Sequence, residues 1–166
     1  MQAQFATQLA NVPEERVIFN NEAQEILKVA EAMLAGELEY RRENYDEAFA
    51  HLRHSVHVYD NLHYTEPWVW MQPPRHALGA LLLEQDHVAE ANDVYRADLG
   101  LDQTLIRASQ HPDNLWSLHG YAECCERMGR AEEAVAVRAK LDMAAAVADI
   151  PVTASCFCRV KDHCCD

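Results

Sequence analysis

Most of the chemistry this 166-residue chain could perform rests on its nine histidines and six cysteines. His76 and His119 stand at a 43-residue interval, and Glu123 follows His119 by four. Residues four apart on a helix point the same way, so His119 and Glu123 share a face, with Trp116 on a neighbouring line. Cys156-Phe157-Cys158 adds two thiolates, soft ligands that with imidazoles favour zinc or copper over magnesium or calcium. Eight extended residues from Pro151 to Cys158 reach up to about 26–29 Å, enough for a tail to fold back across a small helical domain. His76, His119, Cys156 and Cys158 could then share an ion, with His111 as an outer ligand from the adjacent loop. Against this, structural zinc sites use wider C-x2-4-C pairs with a second pair in spacing. The plainer reading is histidines that only hydrogen-bond and a docked tail anchored by Phe157.

The other clusters carry less. His51, His54 and His57 drift around a helix away from its apolar stripe, which reads as a solvated face. Neighbours on a helix point about 100° apart, so Cys124-Cys125 is no natural chelate, and Cys125 reads as core. No Gly-x-Ser-x-Gly, phosphate-binding glycine loop or HExxH occurs. A Cys156 or Cys158 pair with His119 is the one nucleophilic option, and no catalytic residue is assigned.

The elements that must position these groups are helical. Ile26, Leu27, Ala30, Met33, Leu34 and Leu38 recur at three and four, predicting a helix over 21–42. Further helices are expected over 45–62, 74–85, 88–99, 113–128 and 131–148, with Asp113 as a cap and Gly129 as a stop. The short polar turns Glu43-Asn44, Asp86-His87 and Gly129-Arg130 demand antiparallel neighbours. Gly36, Gly79 and Ala122 recur at the same 43-residue interval, and so do Glu47-Ala48, Glu90-Ala91 and Glu133-Ala134. Three features in register imply a stacked repeat, with each small residue close to its alanine. The loop from His63 to Pro74 holds Trp68 and Trp70, and at least one should pack on the helices.

These positions resemble the tetratricopeptide repeat, W-x2-L-G-x2-Y followed by A-x3-F. The second unit matches best, with Arg75-x2-Leu78-Gly79-x2-Leu82 and Ala91-x3-Tyr95. The first has Ala35-Gly36 and Ala48-x3-Leu52. The third has Tyr121-Ala122 and Ala134-x3-Arg138. The segments Glu66-Pro67-Trp68, His111-Pro112-Asp113-Asn114 and Ala154-Ser155-Cys156-Phe157-Cys158-Arg159 together resemble the C-terminal end of larger tetratricopeptide-repeat proteins. The resemblance implies a concave groove for a peptide or protein partner, lined by His76, Trp116, His119 and Glu123.

The expected architecture is therefore an all-α, tetratricopeptide-like solenoid of three helical hairpins. It comprises an irregular lead-in over 1–21, a repeat domain over 22–148 and a cysteine-containing tail over 149–166. The leading expectation is a binding or scaffold module. The alternative is a zinc- or copper-binding protein, a metalloenzyme included. A net charge of −13 with scattered Lys and Arg argues against nucleic acid. No apolar run is long enough to span a bilayer, and no signal peptide is visible, so the expected setting is cytoplasmic with reduced thiols. A solenoid without a polar end cap is also expected to pair through its ends as a homo-oligomer.

Overall fold

The structure, a computed structural model, describes residues 2–159. Its α-helices are α1 (Gln2–Ala10), α2 (Ala23–Arg41), α3 (Tyr45–Asp60), α4 (Pro74–Glu84), α5 (Val88–Leu99), α6 (Leu115–Arg127) and α7 (Ala131–Ala145). The strands β1 (Val17–Ile18) and β2 (Asn21–Glu22) form one antiparallel pair. The chain is thus mostly helical, and it divides into two compact units, residues 1–74 and 75–166. That boundary falls within the repeat domain expected over 22–148.

In the first unit, α2 and α3 form an antiparallel hairpin whose core is Ile26, Val29, Met33 and Tyr40 against Phe49, Leu52 and Tyr59. A Cβ on Gly36 would lie 2.6 Å from Leu52 Cγ and 3.1 Å from the Ala48 carbonyl oxygen, so only glycine fits there. The lead-in differs from the expected irregular segment, because Gln2–Ala10 is helical and rests on α2. Its Phe5, with Leu34 of α2, lines a cavity, which explains why Leu34 is only half-buried despite its place in the apolar period. Asn21 is buried and joins the lead-in to the loop after α3. Its Nδ2 donates to the His63 carbonyl (2.9 Å), and the His63 N–H donates to its Oδ1 (2.7 Å). Trp70 donates from Nε1 to Met33 Sδ (3.3 Å), so one loop tryptophan does pack on the helices, while Trp68 stays exposed. His51, His54 and His57 are exposed as expected.

The three hairpin turns share one backbone conformation. Glu43, Asp86 and Gly129 all adopt left-handed φ, at 65°, 65° and 72°. The next residues, Asn44, His87 and Arg130, have nearly the same dihedrals. Their N–H groups donate to Glu39, Leu82 and Cys125 carbonyls at 3.0, 2.9 and 2.9 Å. This is the six-residue closure of a left-handed helix stop, and it satisfies carbonyls the helix end leaves open. The 43-residue period of the sequence is therefore a period of local structure.

In the second unit, α5 packs on α6 and α6 on α7. The Tyr95 ring of α5 lies against Gly79 of α4 and Gly120 of α6, where a Cβ would fall 2.5 and 2.1 Å from Cζ. The small residue of the first helix therefore makes room for the residue four beyond the alanine, Leu52 or Tyr95, more closely than for the alanine itself. Arg127 of α6 reaches back to the α4 end, donating to the Leu83 carbonyl (2.8 Å) and to Asp86 (2.6 Å). The N-cap of α6 is Asn114, whose Oδ1 accepts from the Ser117 N–H (2.9 Å). Asp113, expected as the cap, instead takes φ 56°, and its Oδ1 accepts from Lys140 Nζ (3.2 Å). Among the described residues no helix is long and apolar enough to cross a membrane.

Candidate functional site

The second unit holds two groupings of functional side chains, and the first is centred on Asp98. This residue sits in the last turn of α5, before Gly100 ends the helix in a left-handed conformation. Its carboxylate is fully buried. Oδ1 accepts from His111 Nδ1 (2.7 Å), and Oδ2 accepts from His76 Nε2 (3.2 Å), Asn114 Nδ2 (2.9 Å) and Ser117 Oγ (2.5 Å). The His111 N–H also donates to the Asp98 carbonyl (2.6 Å). Burial alone would raise the carboxyl pKa. The hydrogen bonds from His111 and His76 outweigh it and hold the group well below the usual carboxylate range. An ionised carboxylate only accepts, so His76 carries its proton on Nε2 and His111 on Nδ1. Ser117 donates to the aspartate and not to a histidine. In a Ser-His-Asp nucleophile the serine must face the imidazole, so this cluster is not built for that chemistry. It clamps α4, α5, the 100–114 loop and α6 to one buried charge.

The second grouping is the seat of the C-terminal tail. Beyond α7 the chain returns to the helices, and residues 157–159 form one 3-10 turn. Three anchors hold it. Tyr95, threaded between Gly79 and Gly120, donates from its hydroxyl to Ser155 Oγ (2.7 Å), and both residues are fully buried. Phe157 meets Trp116 edge to face, with ring centroids 4.8 Å apart. Arg159 forks onto Glu123, Nη1 to Oε2 at 2.6 Å and Nη2 to Oε1 at 2.9 Å. Arg127 Nη1 adds a third donor to Glu123 at 3.1 Å. Burial would raise the Glu123 carboxyl, but the Arg159 hydrogen bonds and charge prevail and lower it. Burial lifts the Tyr95 phenol far above its ordinary value, so it remains a neutral donor.

The residues expected to line a binding face divide between these groupings. Trp116 and Glu123 seat the tail. His76 is turned to Asp98. His119 is half-buried, its Nδ1 buried without a hydrogen-bond partner among the described residues, and burial lowers its pKa. The expected metal cluster does not assemble. His76 and His111 spend ring nitrogens on Asp98, and Cys156 and Cys158 are joined to each other as a disulfide. Among the described residues no group of three or more His, Cys, Asp or Glu is placed to hold an ion. The disulfide also departs from the expected reduced thiols. Two residues of separation and a 3-10 turn bring the pair to a Cα distance of 5.3 Å, within the range a disulfide bridges. Cys164 and Cys165 lie outside the described residues. Cys124 and Cys125 are buried, and desolvation pushes the Cys124 thiol up to about 12 and raises Cys125, so neither forms a thiolate near neutral pH.

Asp98, Tyr95, Ser155 and Arg159 are not among the site residues to which the sequence points. Asp98 had a signal, a lone acid between Ala97 and Leu99 at a helix end, where carboxylates are disfavoured by the helix dipole. Arg159 had none, because its role depends on a tail path that no local pattern encodes. No protein-family model, curated protein or solved structure matches this chain.

Proposed function

We propose that residues 75–159 form a tetratricopeptide-like binding module that holds a peptide segment across α6. The observation that carries this reading is the seat of the tail. A short non-helical segment is held by a buried hydroxyl pair, an aromatic contact and a forked ion pair. These are the means by which helical scaffolds hold peptides, an anchor in a pocket with charge at the rim. The 43-residue register, the glycine-to-aromatic contacts and the identical hairpin turns support the repeat assignment. The buried Asp98 cluster serves as the brace that fixes α4 against α6. A protein partner rather than nucleic acid remains part of this proposal.

The test is selection of random peptides on the full chain, both native and with Arg159→Glu to loosen the tail. The reading expects saturable binders that are lost when Trp116→Ala and Glu123→Arg are introduced. Failure to recover any binder sensitive to those two changes would leave the tail seat as ordinary packing and remove the binding reading.

A further inference from the structure

The tail is buried at Ser155 and Cys156 and lies at an accessible rim beyond them. Phe157 keeps 62% of its surface exposed although it touches Trp116, so the edge-to-face contact covers only part of its ring. The Arg159 and Glu123 side chains retain 23% and 24% exposure, which places the ion pair at a rim that water reaches. The tail backbone closes its own turn, Arg159 N–H to the Cys156 carbonyl (3.2 Å), and enters no helix or strand of the body. The receptor side is otherwise prepared. Tyr95 delivers its hydroxyl through a slot lined by two glycines, and Arg127 steadies Glu123 from the far side.

Resting on the peptide-binding reading above, we infer that residues 154–159 are a placeholder occupying the site in cis. The partner is a protein segment that presents the same chemistry: a small hydroxyl residue, an aromatic two positions on, and an arginine two positions further. The hydroxyl pairs with Tyr95, the aromatic covers Trp116 and the guanidinium forks onto Glu123. The tether supplies the tail at an effective concentration in the millimolar range, so it competes with any external segment of similar intrinsic affinity. A partner that buries its aromatic more fully than Phe157 overcomes that competition.

The experiment uses the full chain and a fluorescent synthetic peptide with the sequence of residues 151–159, its cysteines in the disulfide form. Anisotropy titrations compare native chain, Arg159→Glu, and Arg159→Glu with Phe157→Ala. Circular dichroism confirms folding of each, and the single Arg159→Glu change, at a rim position, serves if the double variant is unstable. The released chains should bind at least about tenfold more tightly than native, reflecting removal of the tethered competitor. A peptide with glutamate in place of its arginine should not bind them. Equal affinity for native and released chains would overturn the placeholder while leaving a peptide site. Equal binding of the arginine- and glutamate-bearing peptides would overturn the stated chemistry. Absence of binding to every chain would overturn this inference, whereas the function proposed above fails only if the random-peptide selection also returns no binder sensitive to Trp116→Ala and Glu123→Arg.

Discussion

The ring of Tyr95 occupies the space that a side chain at Gly120 would need. A Cβ there would meet Tyr95 Cζ at 2.1 Å, and at Gly79 the same atom would be met at 2.5 Å. Tyr95 is fully buried, so its ring has nowhere to retreat. Gly120→Ala and Gly79→Ala should each destabilise by about 1–3 kcal/mol or more through overpacking. Gly129 is a useful contrast. Nothing lies within 4 Å of its Cβ position, but its φ is 72°, so Gly129→Ala should cost only the conformational penalty, about 1–2 kcal/mol. Chemical denaturation midpoints of the three variants check the order. A Gly120→Ala protein as stable as native would mean that Tyr95 does not fill that slot.

The equivalent turns give a gain-of-stability prediction. Glu43 occupies the left-handed position that Gly129 fills in the third hairpin, and it is exposed. A side chain there carries a steric penalty that glycine avoids, partly offset by the greater freedom of glycine in the unfolded chain. Glu43→Gly should raise stability by up to about 1 kcal/mol, read as a higher thermal midpoint. Asp86 is a poorer place to try it, because its carboxylate receives Arg127 at 2.6 Å.

That repetition explains how much of the molecule was legible. Helix starts, stops and turns follow from local rules that act within a few residues, so a 43-residue period in Gly36, Gly79 and Ala122 was enough to place three hairpins. The helix of the lead-in is not legible in the sequence, because Phe5 and Leu9 supply too little apolar signal alone and α1 rests on α2. The site was only half visible. Trp116 and Glu123 could be put on one side of α6 by spacing, but His76 could not be directed to Asp98, because the meeting of residues 22 apart depends on tertiary packing. The same holds for Gly120. It stands outside the repeat register, and only the Tyr95 ring gives it a purpose.

Asp98 makes stability sensitive to acid. Removing its carboxylate by Asp98→Ala takes away the acceptor shared by His76, His111, Asn114 and Ser117 and should cost about 3–5 kcal/mol, as for breaking a buried ionic network. The pH dependence follows from the direction of its shift. Its folded pKa lies below the unfolded value of about 3.9. The contribution is therefore fully present above the unfolded pKa and is lost as pH falls through the folded one. Native stability attributable to this group should be flat from pH 7 to about 5 and decline steadily below about 4. Asp98→Asn, which keeps the shape and cannot ionise, should begin less stable and lose less on acidification. Parallel acid limbs for the two proteins in denaturation midpoints between pH 6 and 3 would exclude Asp98 as the source.

Glu123 holds the guanidinium that trypsin must capture to cut after Arg159. While both Arg159 nitrogens are forked onto the carboxylate, the side chain cannot enter the protease pocket, so cleavage requires the tail to lift. Under conditions where lifting and reseating are faster than cutting, the rate reports the open population. Glu123→Gln keeps one acceptor oxygen but removes the charge and the second acceptor. The pair is at the rim and about a quarter exposed, so its worth is that of a well-formed surface pair, up to about 1 kcal/mol. Cleavage after Arg159 should accordingly accelerate roughly two- to fivefold. Cleavage after Lys140, an exposed position in α7, monitors general loosening and should keep its native rate. Mass spectrometry of timed digests separates the two cuts. An unchanged rate after Arg159 would mean that the fork does not hold the tail, and a matching rise at Lys140 would assign Glu123 to the stability of the helices instead.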